Sequence, residues 1–300
     1  MPAPIPGIHL VHKPVGASSF DMVRQFKHEA WEAGQKKLAL GHGGTLDPFA
    51  EGLLLVLAGQ ATRLMELMHP LPKTYEADVV WGLETDTGDL HGLEVLQGET
   101  ACLSEEVLEQ ALTPFLGWQD QVPPATCAKK IDGEAAYKKA HRGEVFELRS
   151  SRVYLHEATW LSHDLPHRSR LRITCRGGYY VRSLARDLGR ALGSGAHLAT
   201  LHRTAIGPWS DPGLGRVIPV TGAELIPWCP TRHLDEGEAE HLAHGRAIPL
   251  GTLEGPTWAL PLGFPPQEGT LRGLHAGRLV ALLEVDGDQL RTRANLRGGL

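Results

Sequence analysis

The sequence has few features that would tie it to a metal, a disulfide framework or a membrane. Its four cysteines are Cys102, Cys127, Cys175 and Cys229. They show no CxxC spacing and no nearby histidine pair, so neither a zinc site nor a disulfide framework is predicted. The longest apolar run, Leu53–Ala58, is far shorter than a membrane span, and residues 1–7 lack the features of an export signal. We therefore expect a cytoplasmic protein without a membrane anchor or a bound metal.

Several catalytic motifs are also missing from the sequence. It contains no P-loop, no GxGxxG and no HExxH, which argues against nucleotide hydrolysis, dinucleotide redox chemistry and zinc peptidase activity. The 300 residues are 42% hydrophobic and 22% charged, close to the average of folded globular proteins. This length predicts one large domain together with a small one.

Charge is distributed unevenly along the chain. Residues 74–122 contain eleven acidic and no basic side chains, whereas residues 123–210 contain fifteen basic and seven acidic ones. Lysine and arginine bind nucleic acids by neutralising phosphates, so the second segment is a candidate polyanion-binding surface. A basic face that contacts only solvent is the alternative.

Hydrophobic periodicity predicts a mixture of helices and strands. Ser18 and Asp21 match a capping box before an amphipathic helix that runs to about Trp31, and Ser104 precedes a second helical pattern. Residues 32–52 are predicted as a loop. Strands are predicted at residues 8–12, 53–58, 74–81, 152–160 and 170–176, with a further helix after Gly178. Because helices and strands do not alternate regularly, we expect an α+β fold rather than a doubly wound sheet.

Composition predicts an insertion and a domain boundary. Residues 123–151 combine short β-like pieces and a short helix, which indicates an excursion from the main sheet. Its basic side chains include Lys129, Lys130, Lys138, Lys139 and Arg142. Residues 207–230 are rich in proline and indicate a linker, after which short apolar runs predict a small β-barrel-like domain. We therefore predict a first domain at residues 1–230 and a second at residues 231–300.

The segment Gly41–Pro48 has the sequence GHGGTLDP, with three glycines in four residues ahead of Asp47. Glycines let a backbone approach a ligand closely, and proline restricts the residue before it, so this loop would fix a carboxylate beside a ligand. The alternative is that Asp47 caps a short helix with Pro48 at its first position, which is a common arrangement. His42 has no ligand type at i+2 or i+4, so a metal role is not predicted for it.

Arg182 is predicted in the first turn of a helix, where the helix dipole disfavours a cation. We therefore expect an anion beside it: a nucleic-acid phosphate, a structural acid such as Asp187, or a catalytic carboxylate from another segment. Tyr75 and Tyr180 are two of only five tyrosines. An aromatic ring beside a basic surface can stack on an unpaired base, although each tyrosine taken alone is more often a core residue.

Five blocks of sequence occur in order along the chain. They are Lys13–Gly16 with Ser18–Ser19, Gly41–Pro48 with Gly52 and Ala58–Thr62, Lys73–Tyr75, Thr85–Asp89, and Gly178–Gly189. Together they resemble the bacterial transfer-RNA pseudouridine-55 synthases, the TruB-type family. The resemblance extends to about residue 210, and the tail from about Leu234 resembles the small PUA-type RNA-binding domain. One departure is Gly43, where the family often has threonine.

The resemblance implies a pseudouridine-synthase fold, a mixed and mainly antiparallel sheet flanked by helices, followed by the PUA-type domain. It also implies that uridine 55 in the T loop of transfer RNA is flipped out and isomerised. The N1–C1′ bond would break, the base would rotate, and a C5–C1′ bond would form without any cofactor. Asp47 matches the essential aspartate of the family. Attack on C1′, addition to the pyrimidine and proton removal giving a glycal are three alternatives for its role.

The family match implies roles for other residues of the pocket. Tyr75 would stack on the target base and relay a proton, and Arg182 would pair with Asp47. Tyr180 and Leu201 would form part of the pocket wall.

Further residues are implied to contact or support the RNA site. His42 would enter the disrupted T loop, and Lys13 with Pro14 would brace the loop that carries Asp47. The insertion would order over the stem-loop through the basic residues Lys129, Lys130, Lys138, Lys139 and Arg142.

The expected partner is transfer RNA, with the protein acting as a monomer without an obligate protein partner or a membrane. An alternative is a transfer-RNA-binding or RNA-folding protein on the same scaffold, with catalysis secondary. A third hypothesis is an RNA-guided synthase within a larger ribonucleoprotein, which activity without any added protein or guide RNA would exclude. The presence of Asp47, Tyr75 and Arg182 together favours an active enzyme.

Overall fold

The computed structural model of the chain divides into two compact units. The described residues are 4–127, 130–131, 134–136, 139, 142, 144, 146, 148–266 and 269–300. Unit 1 comprises Met1–Leu46, Gly52–Leu71 and Gly207–Leu300, and unit 2 comprises Asp47–Glu51 and Pro72–Ile206. Within the described ranges, none of the helices has both the length and the apolar surface needed to cross a bilayer.

Strands outnumber helices among the described residues. The strands are β1 (Gly7–Lys13), β2 (Leu40–His42), β3 (Glu51–Ala58), β4 (Lys73–Trp81), β5 (Leu83–Thr85), β6 (Glu94–Gln97), β7 (Gly117–Gln121), β8 (Lys130–Ile131), β9 (Glu134–Ala135), β10 (Ser151–Asp164), β11 (Arg168–Cys175), β12 (Ala196–Ile206), β13 (Trp209–Ser210), β14 (Val217–Val220), β15 (Thr231–His233), β16 (Ile248–Pro249), β17 (Leu271–His275), β18 (Arg278–Asp286) and β19 (Gln289–Asn295). The α-helices are α1 (Ser19–Glu32), α2 (Met65–Met68), α3 (Glu105–Leu112), α4 (Val181–Ala191) and α5 (Glu236–Ala243). Short 3-10 helices occupy Gly59–Leu64, Thr113–Phe115 and Gly222–Glu224.

The start of unit 1 follows local sequence rules. The Ser18 side chain accepts a hydrogen bond from the Asp21 amide, and the Asp21 carboxylate accepts one from the Ser18 amide at 2.8 Å, so the capping box is confirmed. Helix α1 buries Met22 and Phe26 in one apolar cluster with residues of β1 and β3. Strand β1 pairs antiparallel with both β3 and β14.

Strand β2 corrects one prediction. It lies within residues 32–52, where the sequence predicts only a loop, and it pairs antiparallel with β3. The pairing supplies the backbone hydrogen bonds of this strand, while its three residues, Leu-Gly-His, are too few to show strand periodicity.

The tail of unit 1 is a five-stranded sheet with the order β15, β17, β18, β19, β16. The β15–β17 pair is parallel and the other three pairs are antiparallel. Its core includes Leu234, Leu283 and Leu290, and helix α5 contributes Leu242. The predicted small β-rich tail is therefore confirmed, while the domain boundary at residue 230 stays a prediction.

Unit 2 contains the strands β12, β4, β11, β10 and β7, which pair antiparallel in that order. Along β4, buried and half-buried residues alternate, as the sequence predicts. The sequence pattern does not reveal β12, because bulges beside Thr200 and Ala205 break its two-residue alternation. Helix α4 packs on β12. The expected α+β fold with mainly antiparallel pairing is confirmed.

Candidate active site

Asp47 lies at the end of the glycine-rich loop that connects β2 and β3. His42, at the end of β2, is half-buried. The Gly43 amide donates to the Leu55 carbonyl at 2.9 Å, and a Cβ on Gly43 would lie only 3.2 Å from the Leu55 Cβ. The Ala50 amide donates to the Asp47 carbonyl at 3.1 Å, which closes a turn instead of starting a helix. The alternative that Asp47 caps a helix is therefore wrong.

The Arg182 side chain, from the first turn of α4, binds the Asp47 carboxylate. Its Nε donates to Asp47 Oδ2 at 2.8 Å, and the two side chains are 3% and 30% exposed. In the part of the chain that the structure describes, no protein group donates to Asp47 Oδ1, so Arg182 holds the carboxylate through Oδ2. Of the anions predicted beside Arg182, the carboxylate from another segment is confirmed, whereas Asp187 pairs with Arg186 at 2.8 Å.

A second acid, Asp89, lies on the other side of Arg182. Arg182 Nη1 donates to the Thr87 carbonyl at 2.7 Å and lies 3.5 Å from Asp89 Oδ2. The Thr87 hydroxyl and the His91 amide in turn donate to Asp89 Oδ1 at 2.9 and 3.0 Å. Gly88 has φ +72°, and a Cβ there would lie 3.2 Å from the Arg182 Cβ, so glycine permits this close approach. Sequence reasoning missed Asp89, although the TDTGD block that contains it was a signal that could have found it.

Thr126 completes the set of acceptors around Arg182. Its hydroxyl accepts from Nη1 at 2.6 Å and its carbonyl accepts from Nη2 at 3.2 Å. The three guanidinium nitrogens therefore have acceptors on Asp47, Thr87 and Thr126. No sequence signal points to Thr126, which is 56 residues from Arg182.

Tyr75 lies on β4, buried in the sheet of unit 2. Burial raises the pKa of its phenol, and the Asp47 charge acts in the same direction, while a hydrogen bond to Arg203 opposes them. Arg203 lies directly opposite Tyr75 on β12, and Leu201, also buried, lies opposite Ala77. The Tyr75 phenol is therefore protonated at neutral pH.

Tyr180 is the residue immediately before α4. Its amide donates to Gln121 Oε1 at 2.9 Å, and its carbonyl accepts from Gln121 Nε2 at 3.1 Å. Burial raises the pKa of its phenol, as do a hydrogen bond with the Cys127 thiol and the charge of Asp47, whereas the charge of Arg182 lowers it. Gln121 thus holds the backbone of Tyr180 two residues before Arg182.

The turn after β1 is held by a buried cation. Lys13 Nζ donates to the carbonyls of Pro14 and Ala17 at 3.0 and 2.8 Å, and the side chain is fully buried. The Leu46 amide donates to the Ser19 hydroxyl at 2.8 Å, and this hydroxyl donates back to the Leu46 carbonyl at 3.2 Å. Lys13 therefore stiffens the turn that leads into α1, and α1 in turn holds the residue before Asp47.

The basic insertion is described only in part. Lys130 lies in β8, and the exposed Arg142 pairs with Glu144, Nε to Oε1, at 2.6 Å. The Lys139 carbonyl accepts from the Arg142 amide at 3.1 Å. Lys129 and Lys138 lie outside the described residues.

Known proteins resemble this chain over most of its length. The TruB family pseudouridylate synthase N-terminal domain matches residues 32–181, and the tRNA pseudouridylate synthase B C-terminal domain matches residues 182–217. The tRNA pseudouridine synthase B of Cupriavidus metallidurans is 36% identical over an alignment 304 residues long. The alignment covers 95% of this chain and 92% of that protein. The protein of the same name from Xanthomonas campestris pv. campestris is 43% identical over 212 residues. That match covers 70% of this chain and spans 66% of the Xanthomonas protein.

Two solved structures resemble the fold. A chain in the crystal structure of a Cbf5-Nop10-Gar1 complex has a TM-score of 0.65 at 22% identity, with 96% of this chain and 84% of that chain covered. A chain in the structure of an H/ACA RNP bound to a substrate RNA containing 2′-deoxyuridine has a TM-score of 0.66 at 20% identity, with the same coverage. At these identities the likeness concerns the fold alone, and it confirms the fold that the sequence resemblance implies.

Proposed function

Because the chain belongs to the TruB family of pseudouridylate synthases, we propose that it converts uridine 55 in the T loop of transfer RNA to pseudouridine. One observation carries this proposal: Asp47 is held by Arg182 through one carboxylate oxygen, in the unit whose sheet contains the buried Tyr75. Relatives named tRNA pseudouridine synthase B support transfer RNA as the substrate.

The reaction needs one carboxylate at the reacting nucleotide. The N1–C1′ bond breaks, the base rotates, and the C5–C1′ bond forms, so C5 loses a proton and N1 gains one. We assign the carboxylate to Asp47, whose Oδ1 is left for substrate while Arg182 holds Oδ2. A charge-assisted hydrogen bond fixes the direction of the carboxylate while the base turns.

The aromatic residues and Leu201 fit the flipped base. Extruding a base costs a few kcal/mol, and stacking on an aromatic ring returns about 1–3 kcal/mol. We assign this stacking to Tyr75, whose raised pKa keeps the phenol neutral and able to donate or relay a proton. Tyr180 and Leu201 form the wall of the pocket.

The remaining RNA contacts come from outside this cluster. His42 enters the space left in the T loop, and Lys13 with Pro14 braces the loop that carries Asp47. The insertion binds backbone phosphates through Lys129, Lys130, Lys138, Lys139 and Arg142. The tail serves as a PUA-type RNA-binding domain. We expect a monomer that acts in the cytoplasm, together with the transfer RNA that it modifies.

Release of tritium from an unmodified transfer-RNA transcript labelled at uridine C5 tests the proposal. The wild type should release about one equivalent from position 55, because C5–C1′ bond formation expels the C5 hydrogen. The isosteric variant Asp47→Asn should release at least about 1,000-fold less per unit time while it binds the transcript as tightly, because the amide cannot act as the carboxylate.

One control transcript and two possible results of the main experiment test the assignment. A transcript with cytidine at position 55 should release nothing from that loop, and continued release would overturn the position assignment. Equal rates for Asp47→Asn and the wild type would overturn the role of Asp47. A wild type that binds the transcript, refolds it and releases no tritium would favour the alternative, an RNA-folding protein on the same scaffold.

A further inference from the structure

Thr126 contacts the beginning of α4 through two of its atoms. Its hydroxyl and its carbonyl accept hydrogen bonds from Arg182 Nη1 and Nη2. Arg182 itself is buried. Thr126 therefore holds the side chain that binds Asp47 in the proposed function.

Two carboxylates lie near the Arg182 guanidinium. Its Nε donates to Asp47 Oδ2 at 2.8 Å, while Nη1 lies 3.5 Å from Asp89 Oδ2. The guanidinium is planar, so the positions of Nη1 and Nη2 determine where Nε points. Thr126 contacts both of these atoms, at 2.6 and 3.2 Å. Without the hydroxyl, Nη1 would keep the Thr87 carbonyl and could move towards Asp89, which would turn Nε away from Asp47.

We propose that Thr126 is a positioning residue for the reaction: its hydroxyl orients Arg182 so that Nε faces the reacting Asp47. This inference rests on the proposed function, because it assigns to Thr126 the alignment of the carboxylate that reacts.

The pair Thr126→Val and Thr126→Ser separates positioning from packing. Valine keeps the shape of threonine and removes the hydroxyl, whereas serine keeps the hydroxyl and removes a methyl group. Hydrogen bonds to a charged group are strong, so we expect Thr126→Val to lower kcat for tritium release about 10- to 100-fold. Its Kd for the transcript and its melting temperature should stay close to those of the wild type. Thr126→Ser should retain kcat within about threefold.

Three results would overturn the positioning role. They are a wild-type kcat for Thr126→Val, an equal loss in Thr126→Ser, and a loss that appears in the Kd for the transcript with kcat unchanged. Each of these results overturns the positioning role only if the wild type itself releases tritium. A wild type that releases none would overturn the proposed function and this inference with it, so the two failures are distinguishable.

Discussion

Two of the buried arginines, one taken from each unit, have different kinds of partner. Arg182 in unit 2 and Arg272 in unit 1 are each only 3% exposed. Arg182 donates to the carboxylate of Asp47 at 2.8 Å. Arg272 donates to neutral oxygens, the Thr231 hydroxyl and the Ala223 carbonyl, each at 2.6 Å.

The difference shows that burial of a cation does not by itself mark a reactive site. Burial lowers the pKa of Arg272, and its acceptors join β17 to β15 and to the 3-10 helix Gly222–Glu224, so this arginine connects elements of the tail. The partner of Arg182 is the acid Asp47, which we propose as the reacting carboxylate. On that proposal, the chemistry of the partner separates a residue that stabilises the fold from one that serves the reaction.

The largest effect that distinguishes the two arginines is expected at Arg182. In Arg182→Lys the charge remains, but a single ammonium group cannot hold Asp47, Thr87 and Thr126 together. We expect kcat for tritium release to fall about 100-fold, which corresponds to about 3 kcal/mol of transition-state stabilisation. Single-turnover kinetics with saturating enzyme would measure the loss.

A matched control lies on the same helix. Arg190 pairs with Glu84 at 2.6 Å, and its side chain is 58% exposed. Arg190→Lys keeps a cation beside the buried Glu84 and leaves the contacts of Arg182 in place, so kcat should stay within about twofold of the wild type. Equal losses in the two variants would mean that the helix, and not the contact with Asp47, explains the effect.

A smaller and different effect is expected at Arg272. In Arg272→Met the carbonyls of Ala223 and Leu225 lose their donor, and a buried carbonyl without a partner costs about 1–3 kcal/mol. We expect the free energy of unfolding to fall by about 3 kcal/mol in urea denaturation followed by tryptophan fluorescence. The kcat of the folded enzyme should stay within about twofold of the wild type.

The exposed Arg278 provides the control for this variant. It donates to the Gly299 carbonyl at 3.2 Å, and Arg278→Met should change the free energy of unfolding by less than about 0.5 kcal/mol. A large loss of kcat in Arg272→Met with unchanged stability would contradict the distinction between the two arginines.

The smallest effect is expected in the basic insertion, which is proposed to contact RNA without touching the reacting groups. Replacing Lys129, Lys130 and Arg142 together with glutamine should weaken transcript binding. It should also flatten the plot of log Kd against log salt concentration by roughly 0.7–0.9 for each phosphate that the protein no longer neutralises. Replacing the exposed Lys36 and Lys37 in the same way should leave the slope unchanged. An unchanged slope in the triple variant would remove the insertion from the interface.

Elements whose stability depends on residues close to them in the sequence were predictable from the sequence. The capping box of Ser18 and Asp21 and the alternation along β4 are local patterns, and both predictions are confirmed. Strand β2 was missed because pairing with β3 creates it, and β12 was missed because its bulges break the alternation. Local patterns predict an element only where the contacts that stabilise it keep a regular period.

The candidate site divides in the same way. By itself, the sequence determined that Asp47 sits in a glycine-rich loop, that Arg182 begins a helix, and that an anion should lie beside this arginine. The residue pattern left that anion open, and the family match implied that it is Asp47, 135 residues away. Only the tertiary structure decided that Asp89 and Thr126 share the same guanidinium. Hydrogen bonds of about 3 Å depend on how distant segments are brought together, and no local propensity specifies that placement.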